Sequence, residues 1–493
     1  MTTGRRKETI CRLAIWTLVY LIPAYQAMLP IEDPDIWWHL RTGQWILAHG
    51  YVPSEDPFSV FGAGKPWIAY SWLFEILVYG LHSHFGLIGL VAFTVLVSLV
   101  TSLAIHLLLR RARLPFLAEV AFLAVILASL KPLLSPRPWL FSILFTATEL
   151  IVISTLRRSW KLTTVLVLPA LFLVWTNVHI QFVYGLAILG LLAGEAVFNR
   201  LAHFDIPNSN NHALTLTRAL LLLGLCFSAT LVNPYHYRIY VPILEYVAQT
   251  GAFQNISELH PMFFRSLADW LVLSLTVTGA FMLGWRRRWS FFYMALFVLA
   301  AYLAFRARRD IWFMALVVAA IASEFAIRVK ASEYFHFTQG RVIAIIIALT
   351  TCLYGLSHIR EVSENSLAKN VEAHFPAKAV EFVRSNQLPG QLFNSLDWGG
   401  YLIWSLPELP VSMDGRTNLH GDERIARSVA TWGGSIAWEK DPELLEGRLI
   451  IAEIGKPLTQ LIRRHSRYKL VYEDRTAAVF VISQPAQRSV GNL

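Results

Sequence analysis

Charge is what this sequence has least of. Asp, Glu, Lys and Arg make up 15% of its 493 residues, against 55% hydrophobic, and the mean hydropathy is +0.48. Too little polar surface is available for a soluble globule, so the chain reads as a polytopic helical membrane protein. Cysteine is scarcer still. Cys11, Cys226 and Cys352 lie in or beside apolar segments and supply neither a disulfide framework nor a metal-ligand spacing. A glycine-rich phosphate loop, a dinucleotide fingerprint and a Ser/His/Asp order are missing too, which argues against a nucleotide-sugar donor. Internal repeats and low-complexity segments are also absent.

The charge that is present is mostly basic, +10 overall. Its main clusters, Arg110-Arg111-Ala112-Arg113, Arg157-Arg158 and Arg286-Arg287-Arg288, sit at the ends of hydrophobic runs, a positive-inside pattern and not a nucleic-acid footprint. The first run, 13–29, follows Arg5, Arg6, Lys7 and Arg12 without a small-residue cleavage site. It predicts a retained helix with a cytoplasmic N-terminus. Further crossings are expected at 70–109, 115–131, 139–156, 163–176, 182–198, 219–233, 269–285, 290–305, 311–326 and 341–357, about eleven in all. The run 70–109 is interrupted at His82-Ser83-His84 and is read as one net crossing. An odd total places the tail opposite the N-terminus, and leaves Arg306, Arg308 and Arg309 outside, against the charge trend.

Past residue 358 the composition changes. Residues 1–358 read as a multi-pass module whose first outer loop is 30–68, and 359–493 as a small extracytoplasmic α/β domain. Helices are expected at 375–386, 421–431 and 456–465, and strands at 391–394, 411–413, 449–454, 469–472 and 477–482.

The chain is organised around 31–43. Asp33 before Pro34 reads as an N-cap with proline at the first helical position, giving a helix to Leu47 that stops at Gly50. Asp35 and His39 then share a face, while Trp37, Trp38 and Trp45 suit a membrane boundary. The same outer side collects Arg137, Asn177, His179, Tyr235, Glu258, His260 and the Arg306 to Asp310 segment. Ionisable groups at membrane depth are costly, so such convergence marks a cavity. Acids beside arginines at a lipid interface suit transfer of a sugar from a polyprenyl-phosphate carrier. A carboxylate takes the acceptor's proton and guanidinium groups hold the leaving phosphate.

These residues carry a resemblance. A transmembrane helix followed by an acid-bearing outer loop and an aromatic amphipathic helix resembles the GT-C superfamily of polyprenyl-phosphate-dependent glycosyltransferases, the protein O-mannosyltransferase and aminoarabinose-transferase families among them. There a Gly-Asp-Trp-type turn follows fifteen residues after the acid. Here Gly50 follows Asp35 by the same count (50 − 35 = 15), although Ile36 replaces the family's second acid. Asp-Pro-Asp-Ile-Trp-Trp-His-Leu from Asp33, Glu55-Asp56-Pro57-Phe58-Ser59, Trp175 to His179, Asn233-Pro234-Tyr235, Asp397-Trp398-Gly399-Gly400-Tyr401-Leu402 and Met413-Asp414-Gly415-Arg416 are similar to bacterial GT-C-like membrane proteins.

The resemblance implies an inverting enzyme of the bacterial inner membrane. Asp35 would be its base, supported by Asp33 and His39. Arg306, Arg308, Arg309 and Arg137 would bind the donor phosphate, and Trp37, Trp38, Asn177, His179, Tyr235, Glu258 and His260 would line the substrate pocket. Its partners would be a polyprenyl-phosphate sugar, membrane lipid, and a lipid, glycan or protein acceptor. One branch of the superfamily uses a divalent cation, Mg or Mn, at such a site. The plainer readings are that Asp33 caps, His39 and His179 pack, the arginines snorkel to headgroups, and Met413 to Arg416 is a turn. The rival function is a non-catalytic transporter or assembly component of envelope polysaccharide export.

Overall fold

The computed structural model describes residues 3–28, 30–201, 214–285, 290–326 and 335–483. The Arg286-Arg287-Arg288 cluster lies outside the described residues. The chain opens with α1 (Thr3–Ala27), the shorter α2 (Ile36–His49) and the long α3 (Trp72–Leu109). Apolar helices follow: α4 (Phe116–Ser129), α5 (Trp139–Leu156), α6 (Leu162–Val178), α7 (Phe182–Leu201) and α8 (Leu216–Thr230). Two short helices, α9 (Val241–Ala248) and α10 (Gly251–Asn255), lead to α11 (Leu267–Trp285), α12 (Phe291–Arg306), α13 (Ile311–Phe325) and α14 (Gln339–Ile359). With α2, α9 and α10 set aside, each expected crossing has its apolar helix, and six of these are long and apolar enough to span by themselves.

Apolar on every side, α13 is buried around its whole circumference, from Trp312 to Ala322, and forms the axis of the bundle. By contrast α14 packs chiefly on α1 and leaves Val342, Ile343, Ile346 and Ile347 uncovered, as a lipid-facing helix would.

The break expected at 82–84 lies instead at Gly86, whose φ of 62° and ψ of −152° leave the helical region. Only glycine adopts that conformation readily. The N–H groups of Leu87 and Ile88 that the break exposes donate to the Glu364 carboxylate at 3.0 and 3.2 Å. In the first half of α3, Glu75 and Tyr79 lie against Gly43 of α2.

The C-terminal unit comprises α15 (Glu364–His374), α16 (Ala377–Ser385), β1 (Leu392–Asn394), α17 (Leu396–Ser405), α18 (Thr417–His420), α19 (Asp422–Trp432), α20 (Pro442–Glu446), β2 (Leu449–Glu453), α21 (Pro457–Arg464), β3 (Tyr468–Glu473) and β4 (Ala477–Ile482). The sheet order is β1-β2-β4-β3, with β1 parallel to β2 and the other pairs antiparallel. One face buries Phe393, Ile450 and Phe480 against Trp432, Leu444, Leu458 and Ile462. The expected strand at 411–413 does not join this sheet. Val411 instead bridges Ser59, its N–H donating to Phe58 O at 3.1 Å while Val60 N–H donates to Val411 O at 3.0 Å. The unit is thereby stitched to the loop after α2. Trp37 completes the join, edge-on to Phe375 and Tyr401 at ring-centre distances of 5.6 and 5.2 Å.

Candidate active site

The two acids reach the site through a turn and not through a helical cap. Asp33 Oδ1 accepts the Asp35 N–H at 3.0 Å, and α2 begins at Ile36 with Asp35 at its N-cap, two residues later than the sequence predicts. That turn frees the other oxygen of Asp33 to point the same way as Asp35. Gly50, in the left-handed conformation, closes α2 as expected.

Arg137 receives both acids. It is held between Pro136 and Pro138 at the start of α5, and only 9% of it is exposed. Its Nε donates to Asp33 Oδ2 at 2.5 Å, Nη1 donates to Asp35 Oδ2, and Nη2 lies 4.0 Å from Glu258. Its guanidinium also covers the Trp139 ring at 4.9 Å. Burial pushes the Asp35 carboxyl up to about 6; Arg137 opposes that rise, while Asp33 and Glu258 add to it. A largely enclosed carboxylate whose pKa is raised toward neutrality is a candidate general base.

A cavity of about 500 Å³ opens beside this triad. Ala27, Ile31, Leu90, Val91, Leu134 and Leu267 give it apolar walls, and Glu32, Asp33, Lys131 and Arg308 bring charge to it. Arg308 is 3.6 Å from Asp269 and is fixed by its N–H to His260 O at 3.0 Å. The other two arginines of this segment do not line the cavity. Arg306 lies over Phe253 at 4.4 Å. The Nε of Arg309 is buried, and Arg309 has Asp310 and Glu258 as charged neighbours.

Several predicted site residues hold the scaffold. His39 is buried, with Nδ1 3.2 Å from Glu75; burial, then Arg137, pushes its pKa well below the ordinary value, so it is neutral. His179 bonds Ser142 at 2.8 Å, and Asn177 accepts from Trp72 Nε1 at 2.8 Å. Tyr235 ties both ends of the 53–69 segment, donating to Pro53 O at 2.7 Å and accepting from Ala69 N–H at 3.0 Å. The His260 ring bonds Gln254 O at 3.1 Å. Trp37 and Trp38, expected at a membrane boundary or in the pocket, are buried in protein at 3% and 6% exposure.

The donor set does not fit a divalent cation. Arg137 already fills the space between the two acids, and among the described residues no three His, Cys, Asp or Glu side chains group as metal ligands.

Sequence reasoning missed Lys131. Its signal is slight: a single cation before Pro132 at the end of an apolar run. It also missed that the C-terminal unit touches the acids. A Cβ on Gly415 would overlap the Asp35 carboxylate, and one on Gly400 would strike Pro34 O.

No family model and no curated protein matches the chain by sequence. Among solved structures, ArnT from Cupriavidus metallidurans bound to undecaprenyl phosphate aligns over 97% of this chain and 98% of its own at 12% identity, with a TM-score of 0.48, below the level at which a shared fold follows. The apo oligosaccharyltransferase of Archaeoglobus fulgidus aligns over 92% of this chain and 70% of its own, at 13% identity and a TM-score of 0.54. The chain therefore shares the fold of that oligosaccharyltransferase structure, an all-α polytopic bundle followed by a small α/β unit.

Proposed function

We propose that this protein is an inverting membrane glycosyltransferase that moves a sugar from a polyprenyl-phosphate carrier to a lipid, glycan or protein acceptor. The observation that carries the reading is the Asp33–Arg137–Asp35 triad, whose Asp33 lines an apolar-walled cavity that Lys131 and Arg308 line as well. A long isoprenoid chain suits the apolar walls and its phosphate suits the two cations. In this reading the N-terminus is cytoplasmic and the triad faces the opposite side of a bacterial inner membrane.

Asp35 accepts the proton of the acceptor hydroxyl as that oxygen bonds to the anomeric carbon. The bond from that carbon to the donor phosphate breaks, and polyprenyl phosphate leaves as the anion. Arg137 keeps Asp35 ionised despite burial, and Asp33 holds the far side of the guanidinium so that the fork does not swing away. Lys131 and Arg308 offset the charge gained by the leaving phosphate.

Purified protein in nanodiscs, given polyprenyl-phosphate sugars and envelope extract, tests this. Asp35→Asn should slow transfer about 10²–10⁴-fold with donor binding retained. Donor binding without turnover by wild type would support the non-catalytic export component instead.

A further inference from the structure

The loop 412–418 of the C-terminal unit lies against the acid pair, and three fixed points prevent its retreat. At its start Ser412 N–H donates to Asn394 Oδ1 at 3.0 Å, and Asn394 Nδ2 donates to Met413 O at 2.8 Å. In its middle Arg416 is buried between Asp414, at 2.7 Å, and Asp56, at 2.6 Å. At its end Gln249 Nε2 donates to Thr417 O at 2.9 Å, which ties it to the segment after α9. Asn394 belongs to the sheet, Asp56 to the loop after α2, and Gln249 to the membrane module, so the loop is clamped by all three parts of the chain.

Gly415 sits at the centre of this clamp. It is not among the residues with positive φ, so its backbone conformation suits any L-residue. What requires glycine is space. A Cβ there would lie 2.8 Å from Asp35 Cγ and 3.2 Å from Oδ2, and nearer still to Oδ1. The Asp35 side chain fills the volume that any other residue at 415 would use.

We propose that Gly415 is a positioning residue: the clamped 412–418 loop is the backstop that fixes the Asp35 carboxylate against Arg137, and the missing side chain at 415 is the seat of that carboxylate. The role in turnover rests on Asp35 being the base. The seat itself does not. Because the loop is clamped and a carboxylate rotates easily, an added methyl displaces Asp35 and not the loop. Gly415→Ala therefore folds, and loses the geometry of the base.

Transfer kinetics and thermal stability of the full-length protein in nanodiscs test this together. Gly415→Ala should lower kcat tenfold or more with the KM for donor unchanged, and should move the acid limb of the pH profile upward, because Asp35 is drawn away from the charge that lowers its pKa. Gly455→Ala, where a Cβ meets nothing within 4 Å, should behave as wild type. An unchanged acid limb in Gly415→Ala overturns positioning. The second arm needs no turnover. Gly415→Val should lower the Tm clearly in the wild-type background and much less in Asp35→Ala, which vacates the seat. Equal Tm losses in both backgrounds overturn the seat. Absence of transfer by the wild type would sink the glycosyltransferase reading alone, since the Tm comparison still decides whether Gly415 seats Asp35.

Discussion

Arg416 and Asp56 are separated by 360 positions in the chain, yet Nη1 of one lies 2.6 Å from Oδ1 of the other in a site with almost no solvent access. The same guanidinium grips Asp414 and covers the Trp67 ring at 4.7 Å. Arg416→Met would leave two buried carboxylates without their cation, a change that costs about 3–5 kcal/mol. The expected result is a large drop in Tm, with proteolysis in the 53–66 loop before the bundle unfolds. Resistance equal to wild type would refute the clamp.

Asp414 gives that clamp a pH signature. Burial alone would raise its pKa, but Arg416 and His420 overcome burial and hold it well below the ordinary carboxylate range. A group depressed in this way stabilises the fold above its unfolded value of 3.8 and loses that contribution as pH falls toward its native value. Wild type should therefore weaken on acidification below pH 3.8, and Arg416→Met should show much less of that loss. Thermal melts across this acid range check it.

Asp35 behaves in the opposite sense. Its pKa is raised from 3.8 to about 6, so its contribution to stability is complete below 3.8 and disappears as pH rises through 6. Activity runs the other way, since a base must be ionised. Transfer should rise with an acid limb near pH 6, and Arg137→Gln should push that limb higher by removing the charge that opposes burial. A limb that stays in place in Arg137→Gln would show that another group is titrating.

His39 was expected to assist Asp35 because the two are four residues apart on one helix face. The helix begins at Ile36, however, and the imidazole turns inward to Glu75, its ring centre 3.6 Å from that of Trp38 at a tilt of 35°. His39→Leu leaves a buried Glu75 oxygen without its partner, costing about 1–3 kcal/mol. Stability should fall while the acid limb of the pH profile holds. A shifted limb would restore His39 to the chemistry.

What was legible follows range. Apolar runs, the glycine that ends α2 and the apolar strand segments at β2 and β4 are local patterns, and each lies where the sequence puts it. Asp33 and Asp35 were legible as an acid pair, and Arg137 as a cation on their side. The partners that lie far away in sequence were not. Nothing in residues 70–109 says that Glu364 will cap Leu87, so the break was sought at the polar His82-Ser83-His84, which stays helical. Nothing near Met413 says that the turn there will lie on Asp35. Three arginines within four positions, 306, 308 and 309, suggest a phosphate cradle, yet the loop splays them: Arg308 lines the cavity, Arg306 lies over Phe253, and Arg309 has Asp310 and Glu258 as neighbours.

That splaying gives a sharp comparison among the cations. Arg308 and Lys131 line the cavity, whereas Arg306 is stacked on Phe253 and absent from its walls. A hydrogen bond to a charged group contributes about 1.5–3 kcal/mol, so losing one that holds a phosphate should weaken binding roughly 10- to 150-fold. Lys131→Met and Arg308→Met should each raise the Kd for polyprenyl phosphate by such a factor, and Arg306→Met should leave it within about twofold. Titration of a fluorescent polyprenyl phosphate into nanodisc-held protein separates the cases. Equal weakening by all three substitutions would point to general attraction by surface charge, which rising salt would abolish. Selective weakening that survives salt would instead locate the phosphate between Lys131 and Arg308, within reach of the acid pair that Asp33 begins.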